Sequence, residues 1–389
     1  MFEFRIARRH IASKQRNTFF SILAVALAVV VIVVLMSLMT GFTDELIEKT
    51  VENSPHIVVY PAEDKDAGIH LYDYYKSVIE STPNVIASSA YLEKQAVITY
   101  RDNSAGINIF GVDPPDENKV MHLKPDIVEG NYEDLSRGGK GILIGDDLAD
   151  DLETRSGEWI KITSPQAGEL SLKVIGIFDS GTGRDKSVAY ARLETLQGFY
   201  NEKGTITAIS MRVTDPYDAE KTASEIEKET GLKADSWIET NSQLLDLLNT
   251  QKVVVWLYYI LIYITAGFGI ANTLINIVMD KKSEIGMLMA MGTSRKSITK
   301  IFLIESTILG AFGLLLGLVL GYFTALAIGS YDIELPAEMY LGLTRMPMKI
   351  EAMNFFYASI FAFVINMIAG VYPARKASKL DPVEAIESI

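Results

Sequence analysis

Residues 280–300 read DKKSEIGMLMAMGTSRKSITK and lie between two stretches apolar enough to cross a membrane. Ile285, Leu288 and Met289 fall at i, i+3 and i+4, which predicts a short helix over Ser283–Met291. Met287 and Met291 line a second face, so this helix is apolar around most of its circumference. Such a helix asks to be buried, yet Lys281, Lys282, Arg295, Lys296 and Lys300 keep it out of hydrocarbon. Two readings stay open from the residues alone: docking into a groove on another protein, or resting on the lipid surface without a partner. Methionine suits the first, being flexible and polarizable. Gly292 is placed to end the helix and Ser294 to cap the next one.

Other candidate chemistry falls away. Lys140 in the Gly138–Gly141 stretch is followed by Gly141, whereas a phosphate-cradling loop needs Gly, four residues, then Gly-Lys-Ser/Thr. That stretch reads as a turn before a strand. Gly267–Asn272 (GFGIAN) lacks the third glycine of a dinucleotide fingerprint and reads as close-packing sequence. His10, His56, His70 and His122 show no zinc-ligand spacing and read as surface residues. The acidic run Gly145–Glu153 lacks the EF-hand pattern and reads as a solvated helix face. With no cysteine, thiol catalysis and cysteine metal sites are excluded. The sequence makes no case for an enzyme active site, a metal site or a cofactor bound by this chain.

Four spans must position the 280–300 segment. Phe19–Thr40, Val253–Met279 and Asn354–Pro373 hold no charged residue, and Ile301–Ile328 holds only Glu305. About 20 such residues cross the hydrocarbon core as a helix. The first window is 22 residues long, more than a signal-peptide core needs, and is expected to be an uncleaved anchor. Lys and Arg outnumber acids five to one in 1–18 and five to two in 280–300, while 41–252 carries 21 basic and 38 acidic residues. Cytoplasmic loops carry the basic excess. The expected order is a cytoplasmic basic amphipathic segment 1–18, span one 19–40 and an outside domain 41–252. Span two 253–279, the cytoplasmic loop 280–300, span three 301–328, a short external loop 329–353, span four 354–373 and a cytoplasmic tail 374–389 follow.

The outside domain alternates β-branched strands with turn signals and helices, an α+β pattern that leaves a division into two lobes open. GFTDELIEKTVENSP and WIETNSQLLDLLNTQK read as helical stalks joined to spans one and two. Gly313, Gly317 and Gly321 are four apart on span three and suit a close helix contact, within a protomer or across a dimer. Asn272 and Asn276 are spaced to hydrogen-bond across helices from span two. For Glu305, pairing with Lys300 or Arg295 and snorkelling to the headgroups both stay open.

Gly267–Gly321 and the ending Gly370–Ile386 (GVYPARKASKLDPVEAI) resemble ABC-transporter permeases of the MacB / LolC–LolE / FtsX type. Arg5–Phe42 and Gly176–Gln197 look most like the LolC/LolE branch. The resemblance implies a four-span membrane α-helical protein with a large α+β extracytoplasmic domain, the MacB-like periplasmic core domain, between spans one and two. It implies a dimer of permeases, homomeric or heteromeric, each docked to a cytoplasmic ATPase through 280–300. In that arrangement Glu284, Ile285, Gly286, Ala290, Gly292 and Arg295, with Lys281, Lys282, Leu288 and Met289, belong to the coupling helix. Pro373, Ala374, Arg375, Asp381 and Pro382 form the C-terminal motif. MacB carries its ATPase in the same chain and this sequence does not, so ATP and Mg are expected on a separate ATPase subunit. The implied activity is mechanotransmission that releases a lipoprotein-like or other lipid-linked substrate, with no nucleic acid involved. The alternative is FtsX-like signalling that activates an outside partner without transport.

Overall fold

The computed structural model describes residues 2–13, 15–52, 54–62, 68–181, 183–331, 345–381 and 385. Leu46–Leu247 forms one compact unit, built on a sheet, and the described residues on either side of it form a second, helical unit.

In the helical unit the four spans belong to the helices Gln15–Glu52, Ser242–Asp280, Arg295–Gly329 and Ala352–Ser378. All four are long and apolar enough to cross a membrane. The glycine stripe shows how spans one and three meet. A Cβ on Gly313 would lie 2.6 Å from Val25 Cβ, and one on Gly317 would lie 2.6 Å from Val29 Cβ and 2.8 Å from the Ala26 carbonyl oxygen. At Gly321 the nearest atom would be Val33 Cβ at 3.1 Å. Four-residue steps on both helices keep register, and the contact lies within one protomer.

Spans three and four interlock by the same means. Gly310 accepts the side chain of Asn366, while Gly370 faces Ser306, whose hydroxyl donates to the Asn366 carbonyl at 2.9 Å. Gly267 of the GFGIAN stretch packs on Ile365 of span four, and the Tyr263 hydroxyl donates to the Ala358 carbonyl at 2.6 Å. Glu305 is fully buried in this bundle, which rules out snorkelling. Asn272 and Asn276 depart from expectation: both are exposed, and neither side chain hydrogen-bonds to a described residue of the protomer. The N-terminal segment is a helix, Phe2–Ser13, that packs on Arg295–Gly329 with Ala7 buried. It is thus part of the bundle as well as a basic flank.

The sheet unit contains strands β1 (Ile57–Tyr60), β2 (Ile69–His70), β3 (Val85–Tyr100), β4 (Asn103–Val112), β5 (Ile127–Gly130) and β6 (Gly141–Gly145). It continues with β7 (Trp159–Ser164), β8 (Gly168–Phe178), β9 (Val188–Arg192), β10 (Thr205–Ile206), β11 (Ala208–Val213) and β12 (Lys233–Ser236). Among the described residues ten of these form one sheet in the order β12-β1-β11-β3-β4-β9-β6-β8-β5, with β7 bridging β3 and β8. Two buried clusters flank this single sheet, one around Ile98, Ile109, Ile144 and Ile209 and one around Val112, Val120, Leu143 and Tyr190.

Three local features escaped the sequence reading. Pro114–Met121 is a helix with Asp113 as its N-cap and proline in its first turn. SVAYAR supplies β9, an interior strand parallel to β4 and antiparallel to β6. WIET is a separate short helix closed by a Ser236–Glu239 capping box, so the second stalk starts only at Ser242.

Candidate functional site

The segment after span two is a helix, Lys282–Ala290, one residue earlier at each end than the spacing predicted. It ends as expected: Thr293 N–H returns to the Leu288 carbonyl at 3.0 Å, and Gly292 takes φ +97°, a region L side chains adopt only under strain. Ser294 then caps Arg295–Gly329 by accepting from Ser297 N–H.

The two apolar faces of this helix have different fates. Ile285 is 1% exposed and Gly286 is buried, while Leu288 and Met289 pack against the core of the bundle. Met287 and Met291 are 48% and 76% exposed. Glu284, Ala290, Gly292 and Arg295 are exposed with them, and Glu284 is ion-paired to Lys281. Lys282 is half-buried. Of the residues expected to reach a partner, Ile285 and Gly286 therefore act by seating the helix, and the available surface is Glu284, Met287, Ala290, Met291 and Arg295. The expected C-terminal motif supports that seat. Pro373 is buried, Ala374 and Ala377 share a cluster with Ile285 and Ile298, and Arg375 and Asp381 are exposed. Pro382 lies outside the described residues.

At the opposite end of the helical unit, spans one, two and four enclose an open cavity of about 300 Å³. Met36, Met39, Val255, Trp256, Tyr259 and Tyr357 supply its apolar lining, with Gln251, Asp44 and Lys252 among the polar lining residues. Asp44 pairs with Lys349, whose ammonium is held above the usual lysine range by hydrogen bonds to Asp44 and Glu351. Sequence reasoning missed this cavity. Its signal was methionine and aromatic residues at the same end of three different spans, which local spacing does not join.

In the sheet unit His56 corrects the surface reading: it is 3% exposed and its Nδ1 accepts from Val213 N–H at 3.1 Å. Burial, then the nearby Arg212 charge, lowers its pKa to about 4. His70 and His122 are exposed, and the His10 side chain lies outside the described residues. The run Gly145–Glu153 forms the amphipathic helix Asp146–Leu152, with Leu148 and Leu152 buried and Asp150 and Asp151 exposed. Asp146 meets Asp179 and Asp185, their carboxylate oxygens within 4.8 Å of one another. Asp185 accepts from Ser180 N–H and hydroxyl, and burial raises its pKa to about 6.

Residues 18–229 match the family model of the MacB-like periplasmic core domain, and residues 256–382 match that of the FtsX-like permease C-terminal. The chain belongs to the MacB / LolC–LolE / FtsX family of ABC-transporter permeases. Relatives in this family include the lipoprotein-releasing system transmembrane protein LolC of Neisseria meningitidis serogroup B, 23% identical over 98% of both chains. LolE of Haemophilus influenzae is 24% identical over 99% of each chain. The macrolide export ATP-binding/permease protein MacB 1/2 of Paracoccus denitrificans is 28% identical over 57% of this chain and 33% of its own. Family membership and the four apolar helices make this a multi-pass membrane protein with a large α+β domain between its first two spans.

Proposed function

We propose that this chain is the non-catalytic permease subunit of an ATP-driven transporter that lifts a lipid-linked substrate from the outer face of the cytoplasmic membrane. The observation that carries the reading is the hairpin at residues 281–295. Ile285 and Leu288 anchor it to the bundle, while Met287, Met291 and Arg295 stand exposed beside it. A rigid, cationic and methionine-bearing projection suits docking to a separate ATPase, which binds ATP and magnesium. The excess of Lys and Arg in 1–18 and 280–300 supports a topology with the hairpin and both termini in the cytoplasm and the sheet unit outside.

Gln15–Glu52 and Ser242–Asp280 are continuous helices, each running through a span into its stalk, and serve as levers between the two units. The cavity at the outer ends of spans one, two and four, with its methionine and aromatic lining, suits contact with part of an acyl chain. Each buried methylene contributes about 0.8 kcal/mol, so withdrawing a chain of ~15 methylenes costs roughly 12 kcal/mol. That cost is the reason for a motor. End-to-end similarity to LolC and LolE supports a lipoprotein-like substrate.

The test is purification from native membranes, comparing the natural chain with Met287→Glu and Met291→Glu. The natural chain should bring down an ATPase and bound lipid or lipoprotein, and both variants should lose the ATPase while keeping the fold. Equal recovery with all three chains removes the hairpin's role. An ATPase recovered with an outside hydrolase and no lipid favours FtsX-like signalling.

A further inference from the structure

In the sheet unit β3 outruns the strands laid along one of its edges. β4 pairs with it from Tyr91 to Tyr100. On the other edge β11 stops at Tyr91 and β7 begins at Val97. Leu92–Ala96 therefore borders a cleft of about 1130 Å³, with Glu93, Gln95, Pro165, Gln166, Glu202 and Thr207 among the lining residues.

The cleft interrupts a hydrogen-bond ladder. The Tyr91 carbonyl accepts from Thr207 N–H at 2.9 Å, and Glu93 N–H donates to the Thr207 hydroxyl oxygen at 2.9 Å. That hydroxyl also donates to the Glu93 carbonyl at 3.4 Å. A side chain here does what the main chain of a neighbouring strand does elsewhere. Gln95 comes next in the two-residue alternation, so its N–H and carbonyl point toward the cleft as well. Pro165 follows β7 at this level and has no N–H to extend the pairing.

Charge adds a preference. Lys94 is committed to Glu202 at 2.7 Å. Glu93 is half-buried and forms no ion pair among the described residues, and burial holds its carboxyl above the usual range against the pull of the Arg184 charge. Segment 41–252 as a whole carries 38 acidic residues against 21 basic ones.

We propose that this cleft takes an extended, basic segment of a separate soluble protein, which adds to β3 as an antiparallel strand between the end of β7 and the start of β11. Leu92–Ala96 spans about 17 Å at ~3.4 Å per residue, room for one short strand. Main-chain bonds to Glu93 and Gln95 supply affinity, and a Lys or Arg beside Glu93 supplies selection. The opening is bounded at both ends, which suits a lone segment better than the edge strand of a folded second copy. The inference goes beyond the functional reading above and stands whether the chain transports or signals.

The test follows amide exchange across residues 92–96 of the full-length chain in detergent. Three probes are added at millimolar concentration: Ac-Thr-Lys-Thr-Lys-Thr-amide, its Glu counterpart, and its fully N-methylated form. The basic probe should slow exchange at 92–96 several-fold, the acidic probe much less, and the N-methylated probe not at all. Glu93→Gln should narrow the gap between basic and acidic probes in a chain that thermal unfolding shows to be folded. The absence of cysteine allows the site to be located. Gln166→Cys should be alkylated by the bromoacetyl form of the basic probe several-fold faster than Tyr217→Cys, an exposed position elsewhere on the same unit. No slowing by any probe, equal slowing by all three, or equal alkylation at the two positions overturns the proposal. Slow exchange in the chain alone that quickens on dilution overturns it in favour of a second copy.

Discussion

The Arg212 guanidinium donates at 2.8 Å to the carbonyl of Glu52, the last residue of the helix that begins at Gln15. Its Nε donates at 2.8 Å to the Val120 carbonyl near the end of the helix Pro114–Met121. One cation on β11 thus satisfies orphan carbonyls at two helix ends, where positive charge is favourable. It ties the first stalk to the sheet. Arg212→Met should remove hydrogen bonds each worth about 1.5–3 kcal/mol. We expect a folded chain with its basal ATPase stimulation retained and substrate release reduced several-fold, and Arg212→Lys in between. Release assays at matched ATPase rates check this, and unchanged release by Arg212→Met would count against the stalk as a lever.

The glycine contacts rank by distance. Gly317→Ala places a methyl 2.6 Å from Val29 Cβ, against 3.1 Å from Val33 Cβ for Gly321→Ala. Overpacking of this kind costs about 1–3 kcal/mol. Gly317→Ala should lower the thermal stability of the purified chain more than Gly321→Ala, and Val29→Ala should recover part of the loss. Additive effects in the double variant would mean that the two residues do not meet.

The hairpin divides into a seat and a surface. Ile285→Ala should destabilise the bundle by about 2–5 kcal/mol, as loss of a buried aliphatic side chain does. Met291→Ala, at 76% exposed, should leave stability within about 0.5 kcal/mol and weaken ATPase binding. Thermal unfolding alongside ATPase co-purification separates the two, and the assignment fails if the effects are reversed.

Burial pushes the Glu117 carboxyl up to about 7, and its Oε2 has no hydrogen-bond partner among the described residues. Between pH 4.5 and 7 the folded chain keeps a proton that the unfolded chain has released, so stability falls as pH rises through that window. Glu117→Gln should flatten the fall and stabilise the full-length chain at pH 8, by on the order of 3 kcal/mol, with little change at pH 4. His56 works in the opposite sense. Its depressed value means the unfolded chain takes up protons first, and stability drains as pH falls from 6.5 toward 4. Thermal unfolding of both residues' Gln variants across pH 4–8 measures each slope.

Much of the fold was readable because its signals are local. Apolar runs announced the spans, Gly292 and Ser294 punctuated the hairpin, and alternation marked most strands. The misses were of two kinds. A buried interior strand such as β9 reads poorly in SVAYAR, where small and aromatic residues replace alternation. The helix at Pro114 was announced by Asp113 and proline, and that start signal was overlooked. His56 was misread because a neutral imidazole accepting a backbone N–H is as much at home in a core as on a surface.

The amino-acid order alone determined four membrane helices, a charge asymmetry between the segments that flank them, a mixed α+β domain between the first two, and a helical hairpin between the middle two. Those are consequences of residue type and period, and they require no knowledge of neighbours. Only the tertiary structure decided which face each helix spends on its own bundle. It turned the Gly313–Gly321 stripe inward to Val25–Val33, hid Ile285 while leaving Met291 bare, and left Asn272 and Asn276 outward. A face is buried or free according to what other segments, distant in sequence, bring against it, and periodicity carries no record of them.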